Sequence, residues 1–202
     1  MGYFRRDELD AYADTAQRSD RMGPPKAEDL CPGVTAYVSH HRADHVAAAG
    51  LRALLMAQGV TVRTEAVPDG LDPTATDQCK QGIRDCTVFL LLVSHHSLQS
   101  LWLPWELGLA ESLKPAMAIA LVPLEEVTGT AACEALLRRY HTLRPDEHQA
   151  AVLFSPMGFV AELSDWLRGR QRDFGASASR LSTVQTAQRE VHPFHQRGCG
   201  GL

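Results

Sequence analysis

The 202-residue chain is short of several things, and each shortage excludes a class of protein. Cysteines are few and scattered: the five, at 31, 79, 86, 133 and 199, form no C-x-x-C pair. Neither a disulfide framework nor a cysteine-rich zinc site is indicated, and a cytoplasmic location is the expectation. Long apolar runs are missing. Clean stretches such as Val88 to Val93 fall far below the roughly 20 residues a spanning helix needs, so no membrane contact is expected. The opening MGYFRRDELDAY carries basic residues without an apolar core, unlike a secretory signal, and Arg6 stands where a myristoylation signal needs Ser or Thr. Excess positive charge is absent as well. Twenty basic residues face 24 acidic ones, a net −4, which argues against a general nucleic-acid binder. Fifteen Gly and 11 Pro are too few for a collagenous or low-complexity chain.

The charge is unevenly placed. Residues 168–202 hold six Arg and two acids, a net +4, so the remainder carries −8. The basic character belongs to a C-terminal tail rather than to a site. Residues 169–202, rich in Ser, Ala, Gln, Arg and Gly with isolated apolar residues, have the composition of a disordered segment. Residues 1–33 read as a leader. Phe4, Leu9, Tyr12, Ala13 and Ala16 fall near helical spacing, and Gly23-Pro24-Pro25 would stop a helix.

Between them, residues 34–168 alternate strand and helix signals. Val34 to Ser39 is a β-branched strand, and a helix from about Asp44 ends at Gly59. Val60 to Thr64 is a second strand. Asp72-Pro73 opens a helix that carries Cys79, Ile83 and Cys86 inward. Val88 to Val93 is apolar throughout, as a strand buried on both faces of a parallel sheet must be. A helix over Leu101 to Leu113, a strand over Met117 to Val122, a helix over Ala131 to Tyr140, a fifth strand at Val152 to Phe154 and a helix over Phe159 to Arg168 complete the order. The pattern predicts an α/β fold with a doubly wound, flavodoxin-like parallel sheet of five strands.

In such a sheet ligands bind beyond the carboxyl ends of the strands, which directs attention to Ser39 to Asp44, Glu65 to Asp77, and Ser94 to Glu106. In the last segment Trp102-Leu-Pro-Trp105-Glu106 opens a helix for which Ser100 is a suitable cap, and Trp102 and Glu106 share a face. Two readings are open. An aromatic plane beside a carboxylate could hold a base and a developing sugar cation, or the two Trp could anchor the helix in the core. In the first segment His40 and Arg42 could meet an anionic ligand, or Ser39 or Asp44 could simply cap the next helix. His95-His96 repeats the Ser-His-His pattern of 39–41, but adjacent His residues point apart and no ligand-spaced partner follows, so no metal is expected. G-x-G-x-x-G after the first strand, a P-loop and a G-x-S-x-G elbow are all missing. So is the strand-end Asp of a phosphoacceptor domain, for the third strand ends Val93-Ser94-His95.

Taken in order, Tyr37-Val38-Ser39-His40…Asp44, the strand end at Glu65, the loop over 66–77, the run Ile83 to Ser94, the W-x-x-x-E of Trp102 to Glu106 and the Phe159…Trp166 segment resemble a bacterial TIR (Toll/interleukin-1 receptor) domain. The resemblance covers about two-thirds of the chain. It implies cleavage of NAD+ at the nicotinamide–ribose bond, giving nicotinamide with ADP-ribose or a cyclic isomer, often in antiphage defence or signalling. NAD+ would be the substrate, with no separate cofactor. Glu106 would be the catalytic carboxylate and Trp102 would lie beside the nicotinamide end. Ser39, His40 and Arg42 would line the pocket, with Glu65 at its edge and Ser94 near its floor. Glu65 stands where Asp is more usual, and His41 is an additional histidine. The family also contains scaffolds that self-associate through the loop matching 66–77 and act through a partner or downstream effector, so a non-catalytic module is the alternative.

Overall fold

The structure, a computed structural model, describes residues 2–18, 31, 33–66, 73–158 and 160–169. Among these residues seven strands form one sheet: β1 (Thr35–His40), β2 (Thr61–Ala66), β3 (Val88–Val93), β4 (Ile119–Pro123), β5 (His141–Pro145), β6 (Ala151–Phe154) and β7 (Val160–Glu162). Their order is β2-β1-β3-β4-β5-β6-β7. The first five are parallel, and β6 and β7 add antiparallel to the edge. The parallel part has the flavodoxin-like order 2-1-3-4-5, with its direction of growth reversing between β1 and β3.

Among the described residues seven helices flank the sheet: α1 (Arg6–Arg18), α2 (His45–Ala57), α3 (Pro73–Asp85), α4 (His95–Gln99), α5 (Trp102–Leu113), α6 (Ala131–Leu137) and α7 (Leu163–Leu167). Strand alternation sorts the core into two layers. Ala36 and Val38 of β1, with Leu90 and Leu92 of β3, share one cluster with Leu9 of α1, with Ala47, Leu51 and Leu55 of α2, and with Trp166 of α7. Tyr37, Phe89, Leu91 and Val93 point the other way, against Cys79 and Ile83 of α3 and Leu103 and Leu107 of α5. Among the described residues no helix is long and apolar enough to cross a membrane.

Local chemistry sets the boundaries. α2 stops before Gly59, whose φ of 73° is the left-handed conformation that ends helices. Pro73 occupies the first position of α3, where its missing N–H costs nothing. α5 starts one residue later than the spacing implies. Leu101 is its cap residue, and the Trp102 N–H donates to Ser100 Oγ at 3.1 Å.

The five-strand expectation is corrected to seven. β5 was hidden because His-Thr-Leu-Arg-Pro is polar at three positions. His141 and Thr142 are nevertheless buried, and the Arg144 guanidinium lies over the rings of Tyr3 and Phe154. The Val152 to Phe154 strand is therefore the sixth, antiparallel to β5. The helix expected from Phe159 begins instead as β7 and turns helical only at Leu163, while Phe159 itself lies outside the described residues. The strand expected from Met117 starts two residues later, because 116–118 form a 3-10 turn. Trp166 is buried, and its indole N–H donates to the Met117 carbonyl at 2.7 Å.

The leader contributes a packed element. Phe4 and Leu9 of the N-terminal segment are buried, and a Cβ added at Gly50 of α2 would lie 1.8 Å from the Leu9 carbonyl oxygen. The backbones of α1 and α2 therefore touch, which only glycine permits at that position. Of residues 169–202, read as a disordered tail, all but Gly169 lie outside the described residues.

Candidate functional site

The crevice where the sheet order reverses is bounded by the carboxyl ends of β1 and β3. Ser39 is the fifth of the six residues of β1, and alternation turns it to the same face as Tyr37, toward α3 and α5. From α5 the Glu106 side chain enters this layer and is only 2% exposed. Ser39 Oγ donates to Glu106 Oε2 at 2.5 Å, and Cys79 Sγ on α3 donates to Oε1 at 3.2 Å. One carboxylate thus joins three elements. A buried carboxylate without donors would be costly, and here a hydroxyl and a thiol supply them.

A second polar cluster lies on the other face. His40 and Ser94 alternate away from Tyr37 and Val93, toward α1 and α2. Ser94 Oγ donates to Asp44 Oδ2 at 2.5 Å, and Arg6 donates to Oδ1 at 2.9 Å. Asp44 is 0% exposed. Arg6 also donates to Glu126 at 2.8 Å, and these two carboxylates raise the Arg6 pKa. His40 is buried and its Nδ1 has no hydrogen-bond partner among the described residues. Burial lowers its pKa, opposed in part by the Val38 backbone and by Asp44, with His45 and His41 adding slightly to the lowering. Ser94 has one more task, accepting from the Ser97 N–H as the cap of α4.

The site residues read from the sequence therefore divide. Ser39 meets Glu106. His40 and Ser94 belong to the Asp44 cluster on the opposite face, so Ser94 fixes the loop after β1 rather than lying under Glu106. Arg42 is exposed in the 3-10 turn Arg42–Asp44. The Glu65 backbone pairs in register with Ser39, and its side chain lies outside the described residues. The 66–77 loop is described only at Ala66 and from Pro73 onward. Trp102 is half-buried one turn before Glu106 and meets Trp105 edge to face at 5.0 Å. Trp105 is exposed, so this pair does not anchor α5 in the core. Asp44 occupies the cap position of α2 but makes no side-chain cap bond, and Ser39 lies inside β1; both spend their side chains elsewhere.

Two participants were not singled out in the sequence. Cys79 was read as core along with Ile83 and Cys86. Its signal is position: of the three it is nearest the start of α3, the end of that helix that faces the crevice. Arg6 has no local signal, because its partners are 38 and 120 residues away. A cavity of about 590 Å³ opens at the opposite end of the sheet, among Val34, Val88, Met117 and Trp166, and none of the site residues line it.

The 2-1-3-4-5 order of the parallel core is the arrangement expected from the resemblance read in the sequence. No curated protein matches the chain. The TIR domain family model matches residues 37–151, from the middle of β1 to the first residue of β6. That is more than half of the 202 residues, and the chain belongs to the TIR domain family.

Proposed function

We propose that the protein cleaves NAD+ at the bond between nicotinamide and ribose, with Glu106 as the catalytic carboxylate. The observation that carries this reading is the buried Glu106 carboxylate, fixed by Ser39 and Cys79 at the switch point of the sheet, with the Trp102 ring one helical turn away. Departure of nicotinamide takes the electron pair of the C1′–N bond and leaves oxocarbenium character on the ribose. A preorganised carboxylate stabilises that charge and accepts from ribose hydroxyls. Capture by water releases ADP-ribose and a proton, whereas capture by an internal nucleophile of the same molecule gives a cyclic isomer. Trp102 offers a flat apolar surface for the nicotinamide end. Arg42 offers positive potential for the phosphates in a body whose net charge does not attract them.

Glu106 is enclosed in the present arrangement, and its two oxygens accept from protein donors. Ribose hydroxyls must replace one of those donors. A displacement of α3 that withdraws Cys79 would remove its contact with Oε1, and the 66–77 segment, whose last residues open α3, is where another copy of the domain would act. Activity per molecule is accordingly expected to rise with protein concentration.

The same enclosure supports a second reading, in which Glu106 is a structural tie between β1, α3 and α5 and the domain works as a self-associating scaffold. Incubation of the purified protein with NAD+ over a range of protein concentrations, with nicotinamide and its co-product resolved by chromatography, separates the two. Turnover by the wild type that is lost in Glu106→Gln supports the enzyme. No turnover at any concentration supports the scaffold.

A further inference from the structure

The geometry points to a role for the N-terminal segment that deepens the NAD+ reading and rests on it. Residues 3–6, outside the span of the family match, clasp the carboxyl rim of the sheet, and Arg6 is a positioning residue for the substrate-receiving loop after β1. The contacts of Tyr3, Phe4 and Arg6 carry the inference, and together they reach three parts of that rim. Tyr3 stacks under the Arg144 guanidinium near the end of β5. Phe4 forms a parallel bridge with Leu124, the residue after β4, and its carbonyl accepts from the Glu125 N–H at 2.9 Å. Arg6 reaches Glu126 of the following turn and, with the same nitrogen, Asp44 of the turn after β1. Asp44 in turn accepts from Ser94, the residue that ends β3.

The consequence is mechanical. The crevice is made by loops that leave β1 and β3, and loops are otherwise the parts of a fold freest to shift. Ser39 and His40 are consecutive residues of β1 that point to opposite faces. Glu106 and Cys79 hold the strand end from one side, and the Asp44–Ser94–Arg6 network holds it from the other. Arg6 is 34% exposed while Asp44 is wholly buried, so the cation closes the network from outside. Losing Arg6 would leave a buried carboxylate with one hydroxyl donor, and the turn Arg42–Asp44 would relax toward solvent to hydrate it. Arg6 touches no reacting atom in this scheme. Its effect passes through the position of Arg42 and of the β1 end, and so falls on substrate binding.

The test uses the full-length chain with Arg6→Gln and Arg6→Lys. For Arg6→Gln the KM for NAD+ should rise on the order of tenfold, short of the hundredfold that a 1 Å misplacement can cost, while kcat stays within about twofold. Arg6→Lys keeps the charge but loses the planar grip of Nε and Nη2 on the two oxygens of Glu126, and should raise KM about threefold by the same effect. It also keeps the test open should Arg6→Gln fail to fold. Hydrogen exchange of the peptide spanning 40–46 should quicken in either variant. Wild-type KM in both variants, a loss confined to kcat, or unchanged exchange in that peptide would each overturn the clasp. Should the wild type turn over no NAD+, the NAD+ reading falls by itself, and the exchange measurement still decides the clasp.

Discussion

Ser39 and Glu106 are 67 residues apart in the chain and joined by a 2.5 Å hydrogen bond, with the serine hydroxyl donating. That bond couples the end of β1 to the second turn of α5 and fixes which way the carboxylate faces. Replacing Glu106 by Gln keeps the shape and the possibility of both contacts, since a hydroxyl and a thiol can also accept. Turnover of NAD+ should fall by about 10³-fold, the usual effect of removing preorganised transition-state stabilisation, with an unchanged circular dichroism spectrum. Full activity in Glu106→Gln would exclude the residue from the chemistry.

The two donors to Glu106 should prove unequal. Ser39→Ala removes the shorter bond and leaves a buried carboxylate oxygen short of a donor, so stability should drop by roughly 1–3 kcal/mol and kcat should fall with it. Cys79→Ala removes the longer, weaker contact, and its thiol is the one the substrate is proposed to replace. Cys79→Ala should therefore cost less kcat than Ser39→Ala. Steady-state kinetics beside urea denaturation of the two variants measures both quantities. The reverse ranking would place substrate entry at Ser39 instead.

Gly50→Ala places a methyl group against the Leu9 backbone. Alanine ordinarily stabilises a helix interior by roughly 0.5–1 kcal/mol relative to glycine. Here the contact outweighs that gain, and the net change should be a destabilisation of about 1–3 kcal/mol as α1 is pushed off α2. The melting temperature should fall, and KM for NAD+ should rise in the same direction as in Arg6→Gln. A stabilised Gly50→Ala protein would mean that α1 does not sit where Leu9 places it.

His40 is buried, and burial lowers its pKa from the ordinary 6.5. Above pH 6.5 the imidazole is neutral in both folded and unfolded chains and adds no pH dependence. Below it the unfolded chain binds the proton first, so stability is lost as the pH falls toward the lowered folded value. His141, also buried, acts in the same direction. Each contributes at most about 1.4 kcal/mol per pH unit within that window. Urea denaturation at pH 7.5, 6.5 and 5.5 should show this acid loss, and His40→Gln should flatten it. An equal slope in His40→Gln would show that the side chain takes up its proton in the folded state as easily as in the unfolded one.

Much of this was legible in the residues. Val88–Val93 could only be a doubly buried strand, and its span agrees residue for residue. Pro73 and Gly59 marked helix ends because proline and glycine act through the backbone, which tertiary contacts seldom override. His141–Pro145 was illegible for the opposite reason: its polar side chains are buried by partners, Tyr3 and Phe154 among them, that no local pattern announces. Glu106 and Ser39 could be named from motif order. That His40 faces away from them follows from the two-residue period of a strand, once β1 is known to run to residue 40 rather than 39. Arg6 and Cys79 needed the fold, since only folding brings residues 6, 44 and 126, or 39, 79 and 106, to one point.

The seating of α1 on α2 also decides where the chain can be cut. The family match begins at residue 37, and a truncation drawn there would discard both the helix and the first two residues of β1. Gly50 and its apolar neighbours on α2 would then meet water as a contiguous bare surface, which favours aggregation. A silent truncated protein would report on its solubility rather than on its chemistry, so the unit to express and assay is the one that starts before Tyr3.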